Sequence, residues 1–211
     1  RWWVVAQRTQ GPSGLGYVMH NRLLISRQFP DAFRELRVQH IASSYRRLLD
    51  TVEQAARGVA GGATPRIVLL TPGPYNETYF EHAYLARYLG VPLVEGGDLT
   101  VRKGRLYLKT VEGLEPVHGL LRRLDDDWCD PLELRPDSAL GVPGLLQAAR
   151  AGTVVMANAL GSAFLESPAV QGFLPGIARR LMGEELALPA LPTWWCGEPA
   201  AWADVRGELD D

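Results

Sequence analysis

The sequence has few lysines, cysteines and histidines, and these shortages limit the chemistry that the chain can perform. Two of its 22 basic residues are lysines, Lys103 and Lys109, and the others are arginines. A step that needs a lysine on a nucleotide phosphate must therefore use one of these two, or a lysine outside this sequence. The two cysteines, Cys129 and Cys196, lie 67 residues apart and outside any CxxC or Cys/His cluster. They are therefore predicted to be reduced thiols, and zinc is not expected.

A basic surplus and a long apolar run are also lacking. The net charge of −2 argues against a nucleic-acid partner, which usually requires a basic surface. No run of 18 uncharged apolar residues occurs, so we expect no transmembrane helix and a cytoplasmic protein. The opening RWWVVAQRTQ has neither an initiator Met nor the apolar segment of a signal peptide, which suggests a fragment of a longer chain.

Helices and buried strands alternate in the middle of the chain. Residues 41–58 show apolar side chains at three- and four-residue intervals, the pattern of an amphipathic helix. The run RIVLL, at 66–70, is typical of a strand buried on both faces of a parallel sheet. A helix over 77–90 and a strand over 91–96 are expected next. This order predicts an α/β fold in which helices flank a mostly parallel sheet.

The apolar period changes to two after residue 99. LTVRKGRLYLKT alternates around Lys103-Gly104, and a second alternation surrounds Glu112-Gly113, so we expect an inserted β-hairpin or meander. The remaining predicted elements are strands at 2–6, 118–124 and 153–158, and helices at 17–27, 138–152 and 167–183.

The stretch TPGPYN, residues 71–76, lies where a predicted strand ends and a predicted helix begins. Ligands of open α/β sheets bind at such strand ends, and a helix start offers free N–H groups to an anion. Asn76 suits the N-cap of that helix. The stretch is therefore either the rim of a binding site, or a rigid turn capped by Asn76 with Tyr75 packed locally.

Two further stretches could bind a ligand. QGPSGLG, at 10–16, lacks both the Lys-Ser/Thr pair of a P-loop and the spacing of the dinucleotide fingerprint, so a flexible turn is favoured. In RRLDDDWCD, at 122–130, the acids could hold Mg²⁺ or an amine while the arginines match a carboxylate. The alternative is a solvated acidic turn with internal ion pairs. His82 is expected to be packed or at the surface rather than to act as a base.

Taken together, these stretches resemble the circularly permuted ATP-grasp proteins of type 2, whose relatives include glutathionylspermidine-synthetase-like ligases. The blocks that carry the resemblance cover most of the chain and stand in family order. They are RTQGPSGLGY with Asn21-Arg22, TPGPYNETYFEHAYLARYLGVPLVEGGDL, RRLDDDWCDPLELRPDSALGVPGLLQAARAG, VVMANALGSAFLESPA, and FLPGIARRLMGEEL with LPTWWCG.

The resemblance implies an enzyme that joins a carboxylate to an amine at the expense of ATP, through an acyl-phosphate. Residues 1–40 would be a displaced strand–loop–helix of the ATP-grasp module, and 41–165 a Rossmann-like pre-ATP-grasp domain. Residues 166–211 would form a helix and a Pro/Trp-rich segment leading to grasp lobes outside the sequence. ATP and Mg²⁺ would bind to the parent protein. We expect neither to bind tightly to this fragment, which we expect to be inactive alone.

The resemblance also implies one substrate cleft with a small carboxylate and a small amine as its ligands. Arginines would neutralise the carboxylate, and aspartates would attract the amine or Mg²⁺. No catalytic residue is assigned, and metal ligands stay unknown. The substrate-binding candidates are Arg8, Ser13, Asn21, Arg22, Tyr75, Asn76, Arg122, Arg123, Asp125 and Asp126.

Two positions depart from the family pattern. Gln7 stands where an acid commonly precedes Arg-Thr-Gln, and His20 stands where an acid commonly precedes Asn21-Arg22. An amide cannot replace a carboxylate as a charged ligand. These departures favour the alternative of a non-catalytic binding or scaffold module derived from the same fold. A nucleotide-sugar enzyme is a third hypothesis, and the missing glycine fingerprint counts against it.

Overall fold

The computed structural model describes residues 2–207, which divide into two compact units. Residues 11–160 form the larger unit. The smaller unit combines the residues up to Gln10 with those from Gly161 onward. None of the helices in the described part of the chain is long and apolar enough to cross a membrane. The predicted boundaries at 40 and 165 concern the ATP-grasp architecture, and they stay predictions.

The larger unit contains five helices and seven strands among its described residues. In chain order they are α1 (Leu15–Gln28), α2 (Pro30–Glu35), α3 (Ala42–Val59), β1 (Ile67–Leu70), α4 (Tyr79–Leu89), β2 (Leu93–Val94), β3 (Leu99–Arg102), β4 (Arg105–Thr110), β5 (Gly113–Pro116), β6 (Gly119–Arg122), α5 (Leu145–Arg150) and β7 (Val155–Ala157). Short 3₁₀ helices occupy Gly96–Asp98 and Asp126–Trp128.

A parallel sheet with the strand order β2-β1-β6-β7 forms the centre of this unit. The two middle strands, β1 and β6, are buried along their whole length, which explains the uninterrupted apolar run of β1. Helices α1, α3 and α4 contribute to the core on one face, and α5 with the β3–β5 region covers the other. The predicted α/β fold with a mostly parallel, helix-flanked sheet is confirmed.

The inserted segment is a three-stranded antiparallel meander of β3, β4 and β5. Its first turn is Lys103-Gly104, and both residues have positive φ, at 49° and 69°. Two such residues make the tight hairpin turn whose twist matches that of the strands. Leu106 of β4 is buried in the same apolar cluster as the sheet. The predicted meander is therefore confirmed.

The predicted helix over 138–152 is wrong in its first half, because α5 begins at Leu145. Gly141 lies against the carbonyls of Trp128 and Cys129, and a Cβ added there would stand 2.3 Å from the Trp128 oxygen. The hydroxyl of Ser138 also donates to the Trp128 carbonyl, at 2.7 Å. This segment therefore packs as an extended turn before the helix starts.

The smaller unit contains a 3₁₀ helix (Ser162–Glu166) and two α-helices, α6 (Pro168–Met182) and α7 (Pro199–Val205). The predicted strand at 2–6 reduces to a single bridge between Val4 and Ala190. The predicted helix over 167–183 is confirmed as α6. Helix α7 lies in the Pro/Trp-rich tail, where no helix is predicted from the sequence.

Candidate functional site

The neighbouring parallel strands β1 and β6 end side by side at the carboxyl edge of the sheet. Helix α4 follows β1 and packs on one face of the sheet, whereas α5 follows β6 and packs on the other. Neighbouring parallel strands whose connections diverge in this way leave an opening in which α/β proteins bind ligands. The loops that border this opening are 71–78 after β1 and 123–127 after β6.

A buried histidine of α4 holds the loop 71–78 at both of its ends. The ring Nδ1 of His82 lies 2.9 Å from the Thr71 hydroxyl, and Nε2 lies 3.0 Å from the Thr78 hydroxyl. The Gly73 N–H donates to the Thr71 hydroxyl oxygen at 3.2 Å. Thr78 in turn donates its hydroxyl to Asn76 Oδ1 at 2.6 Å. The loop is therefore braced from the inside by one imidazole ring.

The direction of these hydrogen bonds fixes the form of the ring. Since the Thr78 hydroxyl donates to Asn76, its oxygen accepts from Nε2–H of His82, and Nδ1 then accepts from the Thr71 hydroxyl. A neutral ring bonded in this way is the Nε2–H tautomer. Burial, the largest cause, and the Arg123 charge together lower the pKa of His82 to about 4, against the opposing effect of the Glu81 charge.

Asn76 and Tyr75 differ from their predicted structural roles. Helix α4 begins at Tyr79 with Thr78 as its N-cap, so the prediction of Asn76 as N-cap is wrong. The side chain of Asn76 accepts the Thr78 N–H at 2.9 Å instead, which closes a turn two residues long. Tyr75 is fully exposed, so local packing of its ring is also wrong. The rigid turn and the exposed tyrosine are compatible with a binding rim.

The glycine-rich loop 11–16 is bound to the same edge through Glu81 of α4. The buried Glu81 carboxylate accepts the N–H groups of Gly14 and Gly16, each at 2.8 Å. A Cβ on Gly16 would stand 2.6 Å from Glu81 Cγ, so the glycine permits this close approach. These N–H groups start α1, and a carboxylate there also matches the helix dipole. Because Glu81 occupies them, they are not free to hold a phosphate.

Arg123 connects the loop 11–16 to the end of β6. Its Nη1 donates to the Pro12 carbonyl at 2.8 Å, which places the exposed Ser13 next to this anchored residue. Burial lowers the pKa of the Arg123 guanidinium, while Tyr45 and Glu81 oppose that shift. Burial also raises the pKa of Tyr45 to about 12. Arg123 thus holds the loop 11–16 at the end of β6.

Arg122 is buried and bonded inside the protein. Its Nη2 lies 2.7 Å from the Asp126 carboxylate. It also donates to the carbonyls of Leu124, Asn158 and Ala159, at 2.6, 3.1 and 3.2 Å. These bonds join the loop after β6 to the loop after β7. The contacts found for Arg122, Arg123 and Asp126 are internal, and their predicted roles toward a substrate stay predictions.

The exposed charges on the strand-end loops are acidic. They belong to Glu77, Glu95, Asp98, Asp125 and Asp127. The Glu95 carboxylate faces the rim, because a Cβ on Gly73 would lie 3.1 Å from its Oε2. Within residues 2–207, no group of three or more Asp, Glu, His or Cys side chains could hold a metal ion. The edge is therefore negatively charged without forming a metal cluster.

Three predicted site residues lie elsewhere. Arg8 belongs to the smaller unit, where Glu166 accepts the N–H groups of Thr9 and Gln10 on the same short segment. Asn21 and Arg22 lie on α1, with Arg22 seven residues beyond Leu15, which is about 10 Å along a helix. Arg22 lines a separate cavity between helices. The structure brings three loops together. One carries Ser13, the second carries Tyr75 and Asn76, and the third carries the residues from Arg122 to Asp126.

The sequence prediction missed the residues that hold these loops in place. Glu81 was not singled out, and His82 was expected to have a packing or surface role. One signal for His82 was available, since Thr78 and His82 are four residues apart and share a helix face. No such signal exists for Glu81, because its glycine partners are 65 and 67 residues away in sequence.

The fold and this edge define an α/β protein whose parallel sheet reverses its strand order between β1 and β6. Residues 1–211 match the family "Circularly permuted ATP-grasp type 2" over the whole chain, and the chain belongs to that family. The predicted family membership is confirmed.

Relatives share roughly two fifths of their matched residues with this chain. An uncharacterized protein of Synechocystis sp. is 41% identical over 196 residues, which cover 93% of this chain and 40% of the relative. Two uncharacterized proteins of Mycobacterium tuberculosis are 43% and 40% identical, over 92% and 97% of this chain and 22% and 36% of their own lengths. The chain thus spans less than half of each of these relatives.

Proposed function

We propose that this chain is the substrate-binding part of an ATP-dependent ligase that joins a carboxylate to an amine through an acyl-phosphate. Membership of the circularly permuted ATP-grasp family supports the reaction class. Such a ligase would use ATP and Mg²⁺ and would act in the cytoplasm, where ATP is made available. Because the relatives are more than twice as long, the catalytic lobes would lie in parts of the parent protein outside this sequence.

The described residues do not fit ATP with Mg²⁺. The glycine N–H groups at the start of α1 are bound by Glu81. Lys103 is in a meander turn, and the Lys109 ammonium donates to the Gly97 carbonyl. No carboxylate cluster for a metal occurs among residues 2–207. We therefore assign nucleotide binding to the remaining lobes of the parent and expect this chain to be inactive alone.

The crevice between β1 and β6 is the proposed site of the amine substrate. This assignment rests on the negative charge of the crevice rim. The loops after β1, β2 and β6 each carry an exposed acid, whereas Arg122 is buried with Asp126, Arg123 is partly buried, and both arginines bond within the protein. A negative edge attracts an ammonium group and repels a carboxylate or a nucleic-acid backbone. Tyr75 and Asn76 would contact the apolar and polar parts of the amine from the braced rim.

A titration with matched small ions tests this assignment directly. Putrescine, a diamine, should shift the backbone amide signals of 73–78 and 123–127, and succinate should not. Asp125→Asn should weaken the putrescine effect, because it removes an exposed charge at the edge. Asp50→Asn, which neutralises an exposed acid on α3, is the matched control. Equal shifts for putrescine and succinate would contradict the assignment of an amine to this site. An equal weakening of putrescine binding in Asp125→Asn and Asp50→Asn would contradict it as well.

The ligase itself is tested in the full-length parent. ATP consumption should depend on an added amine, and Asp125→Asn should raise the KM for that amine while leaving the KM for ATP unchanged. Absence of amine-stimulated ATP consumption across a broad amine and acid panel would favour the second candidate, a non-catalytic binding or scaffold module. One observation favours that candidate. His20, which replaces the acid of the family pattern, packs between Phe80 and Tyr84.

A further inference from the structure

A cavity of about 170 Å³ lies between α1, α4 and the segment that enters α3. Apolar side chains form much of its wall, with Met19 and Leu23 from α1 and Ile41 from the entry to α3. Pockets for drug-sized ligands measure about 300–1,000 Å³, so this cavity suits a smaller molecule. A single ring or a short chain is the size of ligand that it can enclose.

Two tyrosine rings of α4 line this cavity. The ring centroids of Tyr84 and Tyr88 are 6.3 Å apart, and the ring planes differ by 15°. Both residues are partly buried. Aromatic walls of this kind favour a planar ligand that can stack or lie edge-on against them. The tyrosine rings therefore favour a ring as ligand over a branched chain.

Arg22 supplies the charge of the cavity. This residue is partly buried, and its Nη1 donates to the Gln39 carbonyl, which fixes the guanidinium beside the cavity. In the part of the chain that the structure describes, no carboxylate lies within ion-pair distance of Arg22. The lining also contains no acid. A guanidinium with open donors next to apolar walls favours a planar carboxylate, which it binds through two parallel hydrogen bonds.

We propose that this cavity is a second binding site, and that it takes a small aromatic monocarboxylate. The ring lies against Tyr84 and Tyr88, and the carboxylate pairs with Arg22. An ammonium ligand is disfavoured, because the lining offers a cation and no acid. The site is distinct from the edge of the sheet, and the proposal does not depend on the proposed ligase function.

Two probes of the same shape test the charge preference. Phenylacetate and its neutral amide, phenylacetamide, are titrated into the 211-residue chain while backbone amide signals are followed by NMR. Phenylacetate should bind with a Kd on the order of 1 mM, which is usual for so small a ligand. Its shifts should map to α1 and to Tyr84 and Tyr88. Phenylacetamide should bind at least about tenfold more weakly, since it cannot form the charged pair.

Three variants locate the site. Arg22→Gln should weaken phenylacetate binding about tenfold or more, whereas Arg27→Gln, an exposed arginine of the same helix, should leave it unchanged. Ala42→Leu adds volume to the lining and should block both probes. Far-ultraviolet circular dichroism and the thermal midpoint confirm that each variant is folded.

Several outcomes would overturn the proposal. Equal affinity for phenylacetate and phenylacetamide would show that the site does not prefer a carboxylate. Equal effects of Arg22→Gln and Arg27→Gln would show that Arg22 does not bind the carboxylate. Shifts confined to 71–78 or 123–127 would place the acid at the sheet edge instead. A lack of shifts up to about 10 mM phenylacetate in the folded chain would reject the site as a whole.

Discussion

Arg122 illustrates how a charged residue at a strand end can serve the fold. Its side chain is fully buried, and the Asp126 carboxylate beside it is nearly so. A buried pair gains little over well-packed apolar side chains, but removing one partner leaves an uncompensated charge. The three carbonyls that Arg122 also binds would lose their donor at the same time.

Arg122→Met should therefore lower the free energy of unfolding by about 3–5 kcal/mol, measured by urea denaturation. Arg150→Met is the matched control, because Arg150 forms an exposed ion pair with Glu133, and its loss should cost less than about 1 kcal/mol. Adding Asp126→Leu to Arg122→Met should recover part of the loss. Equal effects of the two single variants would contradict the buried role.

His82 should give the larger unit a pH-dependent stability. Its pKa is lowered to about 4 in the folded chain, so the unfolded chain binds the proton more readily between pH 4 and 6.5. Stability is then full above about pH 6.5 and falls as the pH drops toward 4. Between pH 7.5 and 5.0 the loss from this residue should be about 2 kcal/mol.

His82→Asn should flatten that dependence, measured as urea unfolding at the two pH values. Burial also lowers the pKa of His118, so part of the slope should remain in the variant. Arg46→Asn changes an exposed residue of α3 and should leave the slope as it is. A slope in His82→Asn equal to that of the unmodified chain would show that the ring is not held neutral.

At the scale of elements, the start of α1 depends on a carboxylate from α4. Glu81→Gln keeps the shape of the side chain but replaces one acceptor oxygen with an amino group, so one of the two glycine N–H groups loses its partner. The amide that loses its partner, Gly14 or Gly16, should then exchange with solvent about ten- to a hundredfold faster, measured by hydrogen exchange with NMR detection. Glu53→Gln on α3 is the control and should change neither rate.

The elements that follow from local pattern were predictable from the sequence. Helix α3 has its apolar period, β1 has a continuous apolar run, and Lys103-Gly104 marks the meander turn. The start of α5 was not predictable, because Gly141 must approach carbonyls of Trp128 and Cys129. The position of Tyr75 was also open, since exposure depends on what the rest of the chain leaves uncovered.

The candidate site was predictable as a set of loops, because strand ends of parallel sheets meet at one edge. The partners of its charges were not predictable. Composition alone makes Arg122, Arg123 and the aspartates equal candidates for binding a ligand. The structure buries one aspartate with Arg122 and exposes the neighbouring aspartates. Burial of this kind depends on contacts between β6 and the loop after β7, which no local pattern records.

At the scale of the whole molecule, the two thiols report on the two units separately. Cys129 is buried in the larger unit, and Cys196 is exposed in the smaller one. Burial raises the pKa of the Cys129 thiol to about 12, so little reactive thiolate forms at neutral pH. The predicted reduced thiols are present as free cysteines.

A thiol reagent such as DTNB at pH 8 should therefore react rapidly with one thiol per chain. The second should react at a rate that rises with urea, as the larger unit opens. Cys196→Ser should remove the fast phase and leave the slow one. Two fast thiols in the native chain would mean that the core around Cys129 is open.

The hydrogen bonds from His82 to the loop 71–78 have a consequence for how this family can diversify. The hydrogen bonds of the loop run through Thr71, Thr78 and His82, whereas Pro74 and Tyr75 are exposed. Substitutions at the two outer positions can alter what the rim touches without loosening its frame. The side chains at 74 and 75 can therefore change without a cost in the stability of the loop, so that ligand preference and folding are separable at this rim.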